Sequence, residues 1–344
     1  MYIPNSRWTW GFLITTAAQA LMVLGIEIYV FTKFQIALKP AGDSVPQGKT
    51  IPTYLTLFIF GFIYQLVLVY DSLRMKNTIQ VIGLCLYNVG MLIYAAIQFD
   101  QVDRAIGVLK VLGHIDATNP LWFDVKPYLV AVPCIIAFWT VVQAFNAWKL
   151  YDEFAWTIYK HISADLRMKR RFLTFQIYIT LLKFDFFFFL GFTVQFLVIV
   201  TGKTDAELGL TIAAIPITIL ILFMSAYWTR RENKIGTSTS ILIFFCGMAY
   251  FVFKLARMYQ KDHEEYYKPV RKNLTSFAVI TILLIVLTIT NAITCMMNFN
   301  KGLKQHVMSR KITDEDTEKL GGTMTELPDL KPGHQPTSSR MTID

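Results

Sequence analysis

Apolar residues in this chain gather in long unbroken runs separated by short polar segments. Eight runs are long enough to cross a bilayer: 8–31, 52–71, 78–99, 127–149, 172–201, 208–228, 237–256 and 274–299. About 20 mostly apolar residues cross the ~30 Å hydrocarbon core as a helix. Lipid offers no partner to backbone polar groups, so each run is expected to bond within itself as a helix. The period-2 alternation of a membrane barrel is missing. Aromatic residues stand at several run ends, Trp8, Trp10, Tyr54, Tyr128, Trp148, Tyr227 and Trp228, where interfacial anchors belong. The pattern predicts an all-α polytopic membrane protein. Residues 1–300 form a bundle of eight transmembrane helices, and 301–344 form a disordered cytosolic tail.

Composition strengthens this reading. Of 344 residues, 54% are hydrophobic and 17% charged, against about 25% charged in soluble domains. This excludes a soluble enzyme and a nucleic-acid-binding domain. The first run, Trp8 to Phe31, is too long for a signal-peptide core and lacks a small-residue cleavage site, so it reads as an uncleaved anchor. The tail is rich in Ser, Thr, Pro and Gly without apolar periodicity.

The net charge is +9, and the tail from Lys301 contributes nothing to it, with seven basic and seven acidic residues. The basic excess therefore lies beside the membrane, where the positive-inside rule applies. It places both termini and the 4–5 connection in the cytosol. The margin is small, 16 against 13 with Lys149 and Lys254 counted at their span ends. Leaving segment 237–256 out of the membrane would sharpen the asymmetry and give seven spans. Its run ILIFFCGMAYFVF is too apolar for water, so eight is the reading adopted. Residues 100–126 are then the largest lumenal connection. Lys254 and Arg257 are expected to snorkel from the end of span 7.

The 4–5 connection reads as a helix lying on the membrane or extending span 4, because Phe154, Ile158 and Ile162 recur every four residues. It closes on Arg167, Lys169, Arg170 and Arg171. These four suit a topology signal, or contact with anionic lipid headgroups or cytosolic coat and sorting proteins.

Candidate chemistry is sparse. His114, His161, His263, His306 and His334 lie outside the spans and form no HExxH or paired HxxxH pattern. No GxSxG, GxGxxG or Walker motif occurs. No catalytic residue, metal site or cofactor is therefore expected. Cys85, Cys134, Cys246 and Cys295 all fall in apolar runs and are expected to be reduced thiols.

Charges inside spans are the sharper signal, because each is costly in hydrocarbon. They are Glu27 in span 1, near its far end, and Lys183 and Asp185 in span 5. Residues two apart lie about 200° apart around a helix, so Lys183 and Asp185 cannot neutralise each other. Span 5 is long enough for two placements. Both charges sit near the cytosolic interface, the reading favoured here, or both lie deeper and find partners on other helices. Gln19, Gln65, Asn88, Gln143, Gln195 and Asn291 are softer polar positions suited to helix-to-helix bonds. Pro133 and Pro216 interrupt spans 4 and 6. No internal repeat is visible.

Three segments, SADLRMKRR, KFDFFFFLGF and TRRENK, together with the hydrophobic layout from Trp8 to Asn300, resemble a family of uncharacterised fungal Golgi apparatus membrane proteins. The resemblance implies the Golgi membrane as location and carries no site residues. The chain is expected to be a non-enzymatic multi-pass protein serving sorting, scaffolding or membrane homeostasis. The alternative is a transporter or channel for a small solute or lipid.

Overall fold

A computed structural model describes residues 6–39, 46–116, 118–161, 166–199, 205–260 and 271–301. Among them all regular structure is helical: α1 (Arg7–Ala37), α2 (Pro46–Arg74), α3 (Thr78–Val111), α4 (Leu121–His161), α5 (Leu166–Ile199), α6 (Asp205–Arg230), α7 (Lys234–Met258) and α8 (Arg271–Met297). Eight helices are long and apolar enough to span a membrane, α7 included. Eight crossings leave Ser6 and Lys301 on the same side. The expected tail, 302–344, lies outside the described residues.

The helices form two rings. In the first, α1 packs on α2, α2 on α3, α3 on α4, and α4 closes back on α1. In the second, α5 packs on α6, α6 on α7, α7 on α8, and α8 closes on α5. The rings join where α2 and α3 meet α5, with α3 also touching α8. The two halves thus share an adjacency that the sequence does not display.

Their central turns are built alike as well. Between α2 and α3, Asn77 N–H donates to Ser72 O (2.9 Å) and Lys76 N–H to Leu73 O (3.2 Å). Between α6 and α7, Asn233 N–H donates to Trp228 O (3.0 Å) and Glu232 N–H to Thr229 O (3.1 Å). These paired bonds close a helix end through one left-handed residue. Lys76 (φ 47°) and Glu232 (φ 54°) are that residue. The following asparagine then caps the next helix, Asn77 accepting from Gln80 N–H and Asn233 from Ile235 and Gly236 N–H.

Side chains set into glycine gaps pack the helices closely, and those of Phe184 and Phe187 do so across the two rings. A Cβ on Gly83 would lie 2.5 Å from Phe184, one on Gly191 2.5 Å from Phe277, and one on Gly61 2.7 Å from Met91 and 3.1 Å from Phe187. Small residues at a membrane helix contact let side chain meet backbone closely. Tyr87 extends the seam, its ring 5.0 Å from Phe187 and 5.9 Å from Phe184. The segment KFDFFFFLGF is therefore the contact strip of α5.

One connection differs from the sequence reading, and the 4–5 connection takes one of the two forms expected of it. Residues 100–126 are largely helical, because α3 continues to Val111 and α4 begins at Leu121. Val102, Ile106 and Leu109 pack with Val30, Phe34, Ile51, Ile115 and Val125 in a second apolar cluster capping that end of the first ring. Asp100, Asp103 and Arg104 dilute the hydropathy there, yet the apolar stripe continues at helical spacing. Lys39 bonds Asp116 (2.6 Å) across this cap. At the other end, α4 runs unbroken to His161, extending span 4. Phe154 is buried and Glu153 accepts from Ser6 Oγ (2.6 Å). Ile162 lies outside the described residues. Pro133 and Pro216 sit within continuous helices.

Candidate functional site

Each ring carries polar groups on its axis, and the two axes differ. In the first ring, Asn88 of α3 uses all of its hydrogen-bonding capacity. Its Oδ1 accepts from Gln19 Nε2 of α1 (2.8 Å) and Gln65 Nε2 of α2 (3.5 Å). Its Nδ2 donates to Thr140 Oγ1 of α4 (2.7 Å) and Gln19 Oε1 (3.3 Å). Gln143 Nε2 of α4 donates to Gln19 Oε1 (2.6 Å). Gln19, Gln65, Asn88 and Gln143 are fully buried. All four helices are thereby stitched together by side chains that the sequence marked for this role.

Toward the capped end, Glu27 of α1 is 1% exposed. Gln98 Nε2 of α3 donates to both its carboxylate oxygens (3.1 and 3.4 Å). Glu27 thus lies inside the bundle, ten residues before the end of α1 at Ala37.

Lys183 and Asp185 take different surroundings. Lys183 Nζ pairs with Asp71 Oδ2 of α2 and donates to Gln80 Oε1 of α3 (2.9 Å). Gln80 Nε2 in turn donates to Asp71 Oδ2 (3.0 Å) and Leu68 O (2.9 Å). The Lys183 and Asp71 side chains are 28% and 38% exposed. Asp71 stands three residues before the end of α2, so this trio sits about one helical turn, roughly 5 Å, from the α2–α3 turn. That agrees with the interfacial placement expected for Lys183.

Asp185, only about 3 Å further along α5, differs in its surroundings. It points to the opposite side of α5, into the second ring, and is 4% exposed. Thr288 Oγ1 of α8 donates to its Oδ2 (2.6 Å). Its Oδ1 has no hydrogen-bond partner among the described residues. Asp185 borders a cavity of about 90 Å³ to which all four helices of the ring contribute. Phe244 and Gly247, near the middle of the 25-residue α7, are among its walls.

The basic cluster lies at the opening of α5, with Arg167 and Arg170 exposed and Lys169 and Arg171 half-buried. Arg171 Nη1 donates to Lys301 O just beyond α8 (2.8 Å). Asn300 N–H donates to Glu232 Oε2 (2.9 Å), bringing the α6–α7 turn with Arg230, Arg231 and Lys234 to the same end. Residues 166–171 of the first segment and TRRENK thus meet at one face. Lys254 does not reach outward as expected. It is 5% exposed, with its ammonium 4.1 Å from the centre of the Phe196 ring. All four cysteines are free. Cys134 and Cys246 are on outward faces of α4 and α7, so lipid rather than protein covers them, while Cys295 is buried.

No family model matches the chain, and no solved structure matches it. It is similar to the UPF0658 Golgi apparatus membrane protein of Schizosaccharomyces pombe, 34% identical over 318 residues that cover 86% of this chain and 89% of that protein. The chain belongs to the UPF0658 family of Golgi apparatus membrane proteins. As a UPF0658 member with eight apolar helices, it is a multi-pass protein of the Golgi membrane. Nothing in this UPF0658 sequence marks Asp71, Gln80, Gln98, Thr140 and Thr288 as partners. Asp71 and Gln80 lie at run ends, where polar residues are ordinary. A lone Thr in an apolar run carries no signal either.

Proposed function

We propose that this Golgi membrane protein is non-enzymatic and works through its helical bundle, in sorting, scaffolding or membrane homeostasis. The four-helix bonding around Asn88 carries this reading. Its buried amides bond chiefly to one another and hold four spans in one arrangement. We place both termini in the cytosol. The basic face of Arg167, Lys169, Arg170 and Arg171 then meets anionic headgroups or coat and sorting proteins of the cytosolic surface. Deletion of the protein followed by profiling of glycans and lipids tests the role. Altered Golgi glycans or lipids with unchanged residents' chemistry in vitro supports it, and a missing reaction restored by the purified protein contradicts it.

Orientation has its own test. A glycan acceptor inserted at residue 118, between α3 and α4, is expected to be modified and one at residue 325 is not; the reverse overturns the placement. The natural sequon at Asn273 is expected to stay bare, because the Asn273 side chain is fully buried where α8 begins.

A second reading, a carrier for a small solute, is favoured by one observation, the Asp185 carboxylate beside a cavity midway along the second ring. Flux through the reconstituted protein decides it.

A further inference from the structure

We infer that Asp185 is an intramembrane proton-binding site, its carboxyl group taking up and releasing a proton through the cavity on the axis of the second ring. Three observations converge. Asp185 is 4% exposed, and Oδ1 has no partner among the described residues while Oδ2 is held by Thr288. The adjoining cavity, about 90 Å³, is large enough for several water molecules. Thr218 and Thr281 are the polar residues among walls that otherwise include Phe189, Leu222 and Phe244, the Thr281 hydroxyl donating to Phe277 O (2.7 Å).

Surrounding charge also points to a proton. Lys183 faces Asp71 and Gln80 across the rings, and Lys254 of α7 rests on Phe196. Other titratable groups within the neighbouring helices include Tyr178 of α5, Tyr54, Tyr64, Tyr70 and Asp71 of α2, Cys85, Tyr87 and Tyr94 of α3, Tyr227 of α6, Tyr250 and Cys246 of α7, and Cys295 of α8, while Arg74, Arg230, Arg257, Arg271 and Lys272 stand in the end turns of their helices. None of them brings a positive charge to Asp185. A lone carboxylate in such surroundings is costly. One proton removes the charge without further ligands. A hard metal cation wants about six oxygen ligands, and this wall offers one carboxylate and a few threonine hydroxyls. Protonation forms an O–H bond on Oδ1 and leaves water from hydronium. Release is the reverse, so no other reactant is needed.

The site stands whether or not a solute crosses the membrane, so a failed flux experiment does not bear on it. Its test uses the full-length protein in lipid nanodiscs and dicyclohexylcarbodiimide, a hydrophobic reagent that adds to protonated carboxyl groups. Peptide mass spectrometry is expected to find Asp185 modified, with the rate falling about tenfold per pH unit above its titration midpoint. Asp185→Asn is expected to fold, since its amide oxygen still accepts from Thr288, and to lose the label. Gly247→Leu fills the cavity from a position where a Cβ meets nothing within 4 Å, and is expected to slow labelling at least about threefold. Infrared spectroscopy supplies a reagent-free readout. A protonated carboxyl band that shifts in D2O and is missing from Asp185→Asn supports the site. Labelling that does not change between pH 5 and 9, or the lack of any such Asp185-dependent band, overturns it.

Discussion

The two helix rings share a layout and differ on their axes. In α1–α4 the axis is filled by Gln19, Gln65, Asn88, Thr140 and Gln143, which bond to one another and leave Gln65 Oε1 and Gln143 Oε1 without a partner among the described residues, while the Glu27 carboxylate toward the capped end is held on both oxygens by Gln98. In α5–α8 the axis holds a cavity of about 90 Å³ and one carboxylate bonded on one side. A polar network bonded across four helices fixes a packing, whereas a single carboxylate beside a cavity does little for packing and persists for function. The comparison assigns holding to the first ring and working chemistry to the second. Lys183 and Asp185, two residues apart, divide along the same line: one ties α5 to the first ring and the other belongs to the second.

The largest expected effect comes from removing the centre of the amide cluster. Asn88→Leu strands the amide nitrogens of Gln19 and Gln65, and buried groups without partners cost about 1–3 kcal/mol each in proteins at large. We expect a loss of about 3 kcal/mol, read as unfolding in a mild detergent. A loss below about 0.6 kcal/mol, the mean for one interhelical bond in a measured membrane protein, would remove the basis for calling the first ring the holding one.

Next is the seam between the rings. Gly83→Leu drives a side chain into Phe184, and overpacking of this kind costs about 1–3 kcal/mol. Phe184→Ala in the same chain should recover part of it. Gly25→Leu, at a position where a Cβ meets nothing within 4 Å, should be nearly silent. Equal losses from the two glycine variants would show that the seam is not the specific contact described.

The smallest effect is expected at Lys183. Its pair with Asp71 is part-exposed, and such pairs contribute about 0–1 kcal/mol. Lys183→Gln should fold and reach the Golgi, and adding Asp71→Asn should change little more. Loss of Golgi delivery in Lys183→Gln that Asp71→Asn restores would mean the pair is energetically buried.

The fold class and span number were legible because hydrocarbon imposes a simple rule on length and polarity, and Asn88 with its glutamines announced itself as amides in apolar runs. Span ends were less legible. Asp100 and Arg104 masked the apolar stripe that carries α3 to Val111. The two-ring arrangement left no mark, since the matching turns at Lys76 and Glu232 depend on one left-handed residue and an asparagine cap, not on similar side chains. Asp185 was visible as a charge. Its surroundings were not, because the face of a 34-residue helix that becomes buried is decided by Thr288 and the α7 wall, which come from other parts of the chain.

The most direct test compares the stability cost of emptying each axis. Asn88→Ala and Asp185→Leu would be made separately in the full chain and unfolded under one set of detergent conditions. If the first ring holds and the second works, Asn88→Ala loses about 2–3 kcal/mol, while Asp185→Leu stays within about 1 kcal/mol of the parent or gains stability, as replacement of a part-satisfied buried charge by an apolar group commonly does. Thr288 can then turn to a carbonyl of its own helix. Equal or greater loss from Asp185→Leu would contradict the division and make Asp185 a packing residue like Asn88.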